Sequence, residues 1–156
     1  RQMCIRDSFN VSLISGGAGL VSTALDYARF AEMLRRGGTL DGARILGPKS
    51  IAFMTKNHLS EPSMHAAWEQ IPTPDIGRPG FGFGLGFGVV TDATAIGILG
   101  SDGEYNWGGA AGTIFWVDPT EELVVVSLIQ LMQSPWPLRA DVKVAVYQAL
   151  TEIYEE

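Results

Sequence analysis

Two neighbouring runs of β-branched and aromatic residues constrain the fold of this sequence more than any other feature. The first run, TIFWV, covers residues 113–117, and the second, LVVVSLI, covers residues 123–129. Such residues favour β-strands, and the intervening DPTEE sequence is rich in residues that favour turns. We therefore predict a β-hairpin that consists of a strand, a turn and a buried strand.

A glycine-rich segment, WGGAAG, precedes the first of these strands at residues 107–112. Its glycines permit positive φ angles and allow another molecule to approach the backbone closely. The small side chains also leave backbone N–H groups accessible. These properties suit a ligand-binding strand, but a glycine-rich edge strand beside a buried tryptophan has the same local pattern.

Residues 105–119 resemble the third active-site motif of the serine β-lactamase-like hydrolases. They read YNWGGAAGT and, after one residue, FWVDP. The resemblance is closest to the esterase branch of the class C β-lactamase and penicillin-binding-protein superfamily, where Trp-Gly-Gly replaces the Lys-Thr-Gly triplet of the lactamases. Residues 17–30, GAGLVSTALDYARF, resemble the same family. Together the two resemblances extend from about residue 16 to the C-terminus.

The resemblance implies an α+β fold of the β-lactamase/transpeptidase-like type, present only in part. The superfamily fold has an antiparallel sheet, terminal helices on one side of it, and a helical lobe that covers the active site. This chain would supply the later sheet strands, a C-terminal helix packed on the sheet, and part of the helical lobe, from about residue 17 to residue 57.

The resemblance also assigns roles to five residues of the third motif. The backbone N–H of Ala110 would be one donor of the oxyanion hole, and the N–H of the nucleophilic serine would be the other. Tyr105, Trp107, Gly108 and Gly109 would contact the substrate, and the two glycines would let its acyl chain lie against the strand.

The nucleophile half of such a hydrolase is missing from this sequence. The family uses a serine in Ser-x-x-Lys and a second base in a Tyr-x-Asn-type motif. No serine here has a lysine three residues later, and no tyrosine has an asparagine two residues later. We therefore predict that residues 9–156 are the C-terminal portion of a single hydrolase domain, and that this chain alone is inactive and exposes apolar faces that favour aggregation.

The first eight residues, RQMCIRDS, do not continue naturally into the sequence that follows. We interpret residues 1–8 as a non-native, adapter-derived segment and exclude them from the fold. A genuine frayed N-terminus is the alternative.

The substrate class follows from the first residue of the third motif. Lactamases use a cationic or hydrogen-bonding residue there to bind the β-lactam carboxylate, whereas the large apolar face of Trp107 suits a neutral ester. We therefore predict a small-molecule ester or amide substrate and a carboxylesterase activity, with a β-lactamase or a D-amino-acid peptidase as alternatives. A non-enzymatic domain that binds a partner through the glycine-rich strand and residues 81–87 also remains open.

Composition excludes several other classes of protein. A net charge of −6 and a pI near 4.8 disfavour nucleic-acid binding. The single Cys4 cannot form an intrachain disulfide, and no apolar run approaches the length of a membrane span.

His58 and His65 lack carboxylate or cysteine neighbours at ligand spacing, so we predict neither a metal site nor a cofactor. The sequence predicts a soluble protein and leaves its compartment and oligomeric state open.

Local signals predict the remaining elements. A helix should begin after Ser22 or Thr23, end before Gly37-Gly38, and bury Tyr27, Phe30, Ala31 and Leu34. A tight hairpin should surround Asp41-Gly42, and a second helix should begin at Pro48 with Ile51, Phe53 and Met54 as anchors. Residues 57–80 are predicted to form a long surface loop.

The later part of the chain contains three further predicted elements. Alternating glycines and apolar residues at 81–90 predict one strand with three phenylalanines and a leucine on the same face. Residues 95–99 predict another short strand. The tail from Leu138 or Arg139 onward should be an amphipathic helix that packs on the sheet, with an apolar face made by Val142, Val146, Ala149, Leu150 and Ile153.

Overall fold

The computed structural model describes residues 21–60, 78–132 and 134–152. The predictions for residues 1–20, for most of the 57–80 loop with His65, and for Ile153 lie outside the described residues. The described elements, in chain order, are α1 (Ala24–Arg35), β1 (Thr39–Leu40), β2 (Ala43–Arg44), α2 (Pro48–Met54), β3 (Phe81–Phe83), β4 (Gly88–Val90), α3 (Ala93–Ile96), β5 (Tyr105–Gly108), β6 (Ile114–Asp118), β7 (Leu123–Ser127) and α4 (Leu138–Gln148). None of these helices is long and apolar enough to cross a membrane.

A five-stranded antiparallel sheet organises the chain, with the strand order β3-β4-β5-β6-β7. The combination of this sheet with flanking helices confirms the α+β prediction. The predicted hairpin is β6 and β7, and Ile114 lies opposite Ser127 at its open end. Every residue of β6 is buried, but every residue of β7 is only half-buried, so the prediction of a buried second strand is wrong. The reason is that β7 is the outermost strand of the described sheet.

Helix α1 forms the main core with one face of the sheet. It begins as predicted, because the hydroxyl of Thr23 accepts a hydrogen bond from the backbone N–H of Asp26. The ring of Tyr27 packs edge-on against Phe115, with 5.2 Å between the ring centroids. Phe30 is 41% exposed and Met33 is buried instead, so the predicted buried face is partly wrong. The face of α1 that packs on the sheet is therefore slightly rotated from the face that the spacing of apolar residues predicted.

The segment after α1 follows its local signals closely. Asp41 and Gly42 have φ angles of 49° and 80°, which are the two positive values of the predicted tight turn between β1 and β2. Helix α2 begins at Pro48 as predicted. Ile51 is buried within it, but Phe53 is 59% exposed, so the prediction that Phe53 anchors α2 is wrong. The side chain of Phe53 packs against His58, outside the core.

Residues 81–90 form two strands and a turn, and the prediction of a single strand is wrong. The backbone N–H of Gly84 donates to the carbonyl of Phe87 at 2.7 Å, and Gly86 has a φ of 92°. The chain therefore reverses at the same glycines that suggested a continuous strand. Because of the reversal, Leu85 lies at the turn and is 48% exposed, while Phe81 and Phe87 are buried.

The predicted strand at 95–99 is also wrong, because helix α3 occupies residues 93–96. The side chain of Asp92 accepts a hydrogen bond from the backbone N–H of Ala95 at 2.8 Å and caps the helix. Gly97 has a φ of 73° and ends it. The N-cap and the glycine decide the conformation of this short apolar segment.

The C-terminal helix α4 is present, but its predicted packing face is only partly correct. Val142 and Val146 are half-buried, whereas Ala149 and Leu150 are exposed beyond the helix end. The side chains of Lys143 and Tyr147 form its polar contacts with the sheet region. Hydrogen bonds from these two side chains therefore connect α4 to the sheet region.

Candidate active site

The predicted third motif forms strand β5 and the tight turn that follows it. The backbone N–H of Gly109 donates to the carbonyl of Thr113 at 2.8 Å, and the N–H of Gly112 donates to the carbonyl of Gly109 at 3.0 Å. The second bond closes a β-turn with Ala110 and Ala111 at its two central positions. Gly112 has a φ of 85°, and a Cβ atom there would lie 2.5 Å from the side chain of Ile129. This glycine therefore allows both the turn and its packing.

The N–H group of Ala110 lies at the outer side of this turn. Ala110 is exposed, and its N–H donates to no acceptor among the described residues. The turn itself is held by the two hydrogen bonds that Gly109 and Gly112 donate. A fixed and accessible backbone donor is what an oxyanion hole requires.

The side chain of Trp107, two residues before the turn, forms an aromatic wall with Phe83. The two rings pack edge-on with 5.0 Å between their centroids, and Trp107 is 39% exposed. Strand β4 pairs with Tyr105 and Asn106 of β5, and this pairing stops before Trp107. The backbone of Trp107 and Gly108 therefore extends past the end of the neighbouring strand.

Tyr105 is the one predicted site residue whose side chain lies away from the turn. Its ring is 2% exposed and packs against Phe87 with 5.4 Å between the centroids. Burial raises the pKa of its hydroxyl. Trp107, Gly108, Gly109 and Ala110 are adjacent because they are consecutive in the chain, and the ring of Tyr105 lies in the core.

A cluster of buried ionisable groups joins strand β5 to helix α4, and the sequence reading missed it. Glu104 and Asp118 have no exposed surface. The Nζ of Lys143 lies 2.5 Å from both carboxylate oxygens of Glu104. The hydroxyl of Tyr147 lies 2.7 Å from Asp118 and 3.0 Å from Glu104, and it donates to the nearer carboxylate. We call these four residues the buried polar cluster.

The electrostatics of this cluster are dominated by burial. Burial raises the pKa of the Glu104 carboxyl, and the charge of Lys143 and the hydrogen bonds from Lys143 and Tyr147 oppose that rise. Burial and the two nearby carboxylates raise the pKa of Tyr147. Lys143 also lies over the ring of Trp116, 5.4 Å from its centroid. The ammonium group of Lys143 is therefore attracted both by the Glu104 carboxylate and by the face of the Trp116 ring.

A second unpredicted residue contacts the turn directly. The Nη2 of Arg139, in the first turn of α4, donates to the carbonyl of Gly109 at 3.1 Å. A groove of about 570 Å³ lies next to this contact, and its lining includes Gly109, Ala110, Trp136 and Arg139. The groove therefore lies on the face of β5 that Arg139 contacts, opposite the face that carries the Trp107 ring.

His58 lies close to two backbone carbonyl groups. Its backbone N–H donates to the carbonyl of Phe83 at 2.8 Å, and its Nε2 lies 2.7 Å from the carbonyl of Phe53. Among the described residues, no group of three or more histidine, cysteine, aspartate or glutamate side chains could hold a metal ion.

Comparison with known proteins defines the class of this chain. Residues 3–149 match the Beta-lactamase family, and the chain belongs to that family. Two proteins of Mycobacterium tuberculosis, Protein Rv1367c of strain H37Rv and Uncharacterized protein MT1414 of strain CDC 1551, are each 40% identical to it over 125 residues. These matches cover 76% of this chain and 29% of each relative.

Solved structures give the same class. The hydrolase EstCE1, described as having promiscuous acyltransferase activity, matches with a TM-score of 0.71 and 29% identity over 92% of this chain and 34% of its own. Simvastatin synthase LovD from Aspergillus terreus matches with a TM-score of 0.65 and 22% identity over 85% of this chain and 36% of its own, which shows the fold alone. The chain has a β-lactamase-like serine hydrolase fold and spans about a third of the length of these proteins.

Proposed function

We propose that this chain is the C-terminal portion of a serine hydrolase that acts through an acyl-enzyme, and that the complete protein is a carboxylesterase on neutral esters. The observation that carries the proposal is the accessible N–H of Ala110 on a hydrogen-bonded turn beside the aromatic wall of Trp107 and Phe83. Family membership and the likeness to EstCE1 support the reaction class.

In this mechanism the turn stabilises negative charge. A serine from the preceding portion of the protein attacks the ester carbonyl carbon, and its proton passes to a base. The carbonyl oxygen becomes an oxyanion, and the N–H of Ala110 and the N–H of the serine donate to it. The intermediate collapses, the alcohol leaves with the proton, and water then hydrolyses the acyl-serine. One such donor contributes about 10²–10³ to kcat.

The chemistry around the turn favours a neutral ester over a β-lactam carboxylate. Trp107, at the position where the resemblance places the lysine of the lactamases, offers an indole and no cation. The nearby cation of Arg139 reaches the Gly109 carbonyl from the face of β5 opposite the Trp107 ring. The rings of Trp107 and Phe83 pack together on the face of β5 opposite Arg139. An acyl chain or an apolar alcohol suits contact with these two rings.

The proposal of a missing portion has support in the surface of the chain. Large apolar residues in three separate parts of the chain are more than half exposed: Leu25 at 71%, Phe53 at 59% and Trp136 at 63%. On its outer side, β7 pairs with no other described strand. Burying such groups against the preceding portion of the same protein would remove both features.

The test begins with the coding sequence upstream of Phe9, read directly from the source DNA. We expect an in-frame Ser-x-x-Lys followed by a Tyr-x-Asn or Tyr-x-Ser motif. The complete protein should then hydrolyse p-nitrophenyl esters of short acyl chains and react with a fluorophosphonate at the Ser-x-x-Lys serine. The 156-residue chain serves as the inactive control.

Three results would contradict the proposal. Preferential hydrolysis of nitrocefin over esters would make the protein a β-lactamase, and preferential cleavage of D-alanyl peptides would make it a peptidase. A genuine start codon near residue 1 with no upstream motif, together with a monodisperse and cooperatively folded 156-residue chain, would favour the non-enzymatic binding domain.

A further inference from the structure

We propose that Arg139 is a positioning residue that fixes the peptide group between Gly109 and Ala110, and thereby aims the oxyanion donor. The inference rests on the proposed function, because it concerns the N–H group to which that function assigns the oxyanion. Arg139 does not touch the substrate in this proposal. It acts through the Gly109 carbonyl, which is part of the same peptide group as the Ala110 N–H.

The first step of the argument is the set of hydrogen bonds to one carbonyl. The oxygen of Gly109 accepts from the N–H of Gly112 at 3.0 Å and from the Nη2 of Arg139 at 3.1 Å. A carbonyl oxygen has two lone pairs, and each is used here. The two donors come from different elements, the turn itself and helix α4, so together they restrict rotation of the peptide group.

The second step is the geometry of the peptide bond. A trans peptide is planar, and its C=O and N–H point in opposite directions. Fixing the direction of the Gly109 carbonyl therefore fixes the direction of the Ala110 N–H. A charged donor on the carbonyl also polarises the amide and strengthens the N–H as a donor. Arg139 consequently sets both the aim and the strength of the candidate oxyanion donor.

The third step is the space that admits the guanidinium. A Cβ atom at position 108 would lie 2.4 Å from the Nη2 of Arg139. Glycine at position 108 therefore leaves free the space that the guanidinium occupies, and a larger residue there would displace the guanidinium from the Gly109 carbonyl.

The fourth step is the attachment of α4 to the sheet. Arg139, Lys143 and Tyr147 are spaced four residues apart and share one face of the helix. Lys143 and Tyr147 bind the buried carboxylates of Glu104 and Asp118. Because Glu104 directly precedes β5, the buried polar cluster holds α4 in register with the strand that carries the turn. Arg139 therefore reaches the turn from a helix whose position is fixed.

The test uses the complete protein with Arg139→Met, which keeps the apolar stem and removes the donor, and Arg139→Lys, which keeps the charge. We expect Arg139→Met to lower kcat for ester hydrolysis roughly tenfold with little change in KM, less than removal of the oxyanion donor itself would cost. Arg139→Lys should retain part of the activity, and added guanidine should partly restore Arg139→Met.

A second readout follows the peptide group directly and does not need catalysis. Labelling with ¹³C-carbonyl glycine and ¹⁵N-alanine marks only Gly-Ala peptides, which in this sequence are residues 17–18, 42–43 and 109–110. Arg139→Met should shift the Gly109 carbonyl carbon and the Ala110 amide proton and leave the peptide at 42–43 unchanged. Arg44→Met on the separate β1-β2 hairpin is the matched control and should affect only the peptide at 42–43.

The two readouts separate failure of this inference from failure of the proposed function. An unshifted Gly109 carbonyl in a folded Arg139→Met protein overturns the inference, as does unchanged kcat in an active enzyme. If the complete wild-type protein hydrolyses no ester, the proposed function fails. The carbonyl shift then still decides whether Arg139 fixes the peptide group.

Discussion

Lys143 binds both carboxylate oxygens of Glu104, a residue with no exposed surface that directly precedes the strand of the candidate site. Burying a carboxylate is costly unless a partner compensates its charge, and here the partner comes from a helix 39 residues later in the chain. The contact therefore links the stability of the sheet to the position of α4.

Removal of the ammonium group alone should strongly destabilise the protein. Lys143→Met leaves Glu104 buried without a cation, and we expect a loss of about 3–5 kcal/mol in the free energy of unfolding. The double variant Glu104→Gln/Lys143→Met removes the charge as well and should be more stable than Lys143→Met alone. Urea unfolding followed by tryptophan fluorescence measures both. Equal stability of the single and double variants would contradict the charge argument.

The hydroxyl of Tyr147 should contribute through the buried carboxylates. Tyr147→Phe removes a donor to Asp118, and we expect a loss of about 1–3 kcal/mol. Tyr27→Phe is the matched control, because the hydroxyl of Tyr27 makes no hydrogen bond within the described part of the chain, and it should cost much less. Denaturant unfolding of the two variants compares them. A larger loss for Tyr27→Phe would refute the role of the hydroxyl.

Stability at acid pH should depend on Glu32 in helix α1. Hydrogen bonds from Arg35 and then Arg36 lower the pKa of Glu32 to about 2, against an ordinary value of 4.5. A carboxyl whose folded pKa is lowered stabilises the protein above its unfolded pKa, and this stabilisation is lost as the pH falls through the folded pKa. Because the side chain is 26% exposed, we expect less than about 1 kcal/mol.

The measurement is the difference in unfolding free energy between wild type and Glu32→Gln as a function of pH. The difference should be constant at neutral pH and should decrease between about pH 4.5 and pH 2. Glu122→Gln is the control, since Glu122 is 67% exposed and lies 3.7 Å from Arg35. If the stability difference between wild type and Glu32→Gln instead grows toward low pH, the prediction that the Glu32 carboxylate stabilises the fold less at acid pH is wrong.

The elements that were correctly predicted depend on local sequence. The N-cap at Thr23, the turn at Asp41 and Gly42, and the β6-β7 hairpin each follow from residues within a few positions of one another. The same local reasoning was wrong for residues 81–90, because alternating glycines are compatible with a strand and also with a turn. It was wrong at α3 because the cap of Asp92 outweighed a short apolar pattern.

The polar half of the candidate site could not be predicted from local patterns. Arg139 is 30 residues from Gly109, and Tyr147 is 29 residues from Asp118. The spacing of Arg139, Lys143 and Tyr147 by four residues was a visible signal, since it places three polar side chains on one helix face. The valines at 142 and 146 suggested a competing apolar face, and only the tertiary structure shows which side chains bind the buried carboxylates.

Crowding at Gly112 can be separated from its backbone conformation. Gly112 and Gly103 have similar φ angles of 85° and 91°, but a Cβ atom would lie 2.5 Å from Ile129 at Gly112 and would meet nothing within 4 Å at Gly103. Both alanine variants should therefore share the strain of a positive φ, of order 1–3 kcal/mol, and Gly112→Ala should cost more. Thermal unfolding compares them, and equal losses would mean that Ile129 moves aside freely.

The last prediction concerns the approach of Arg139 across Gly108. Gly108→Ala places a Cβ atom 2.4 Å from the guanidinium and 2.9 Å from the carbonyl of Thr113, so we expect it to displace Arg139 and to lower kcat. If displacement of Arg139 accounts for the loss, Gly108→Ala and Arg139→Met should be strongly non-additive, because the double variant removes the same contact only once. Ester hydrolysis by the complete wild-type protein, the two single variants and the double variant provides the cycle. Fully additive losses in kcat would show that the alanine acts through Thr113 or the substrate, independently of Arg139.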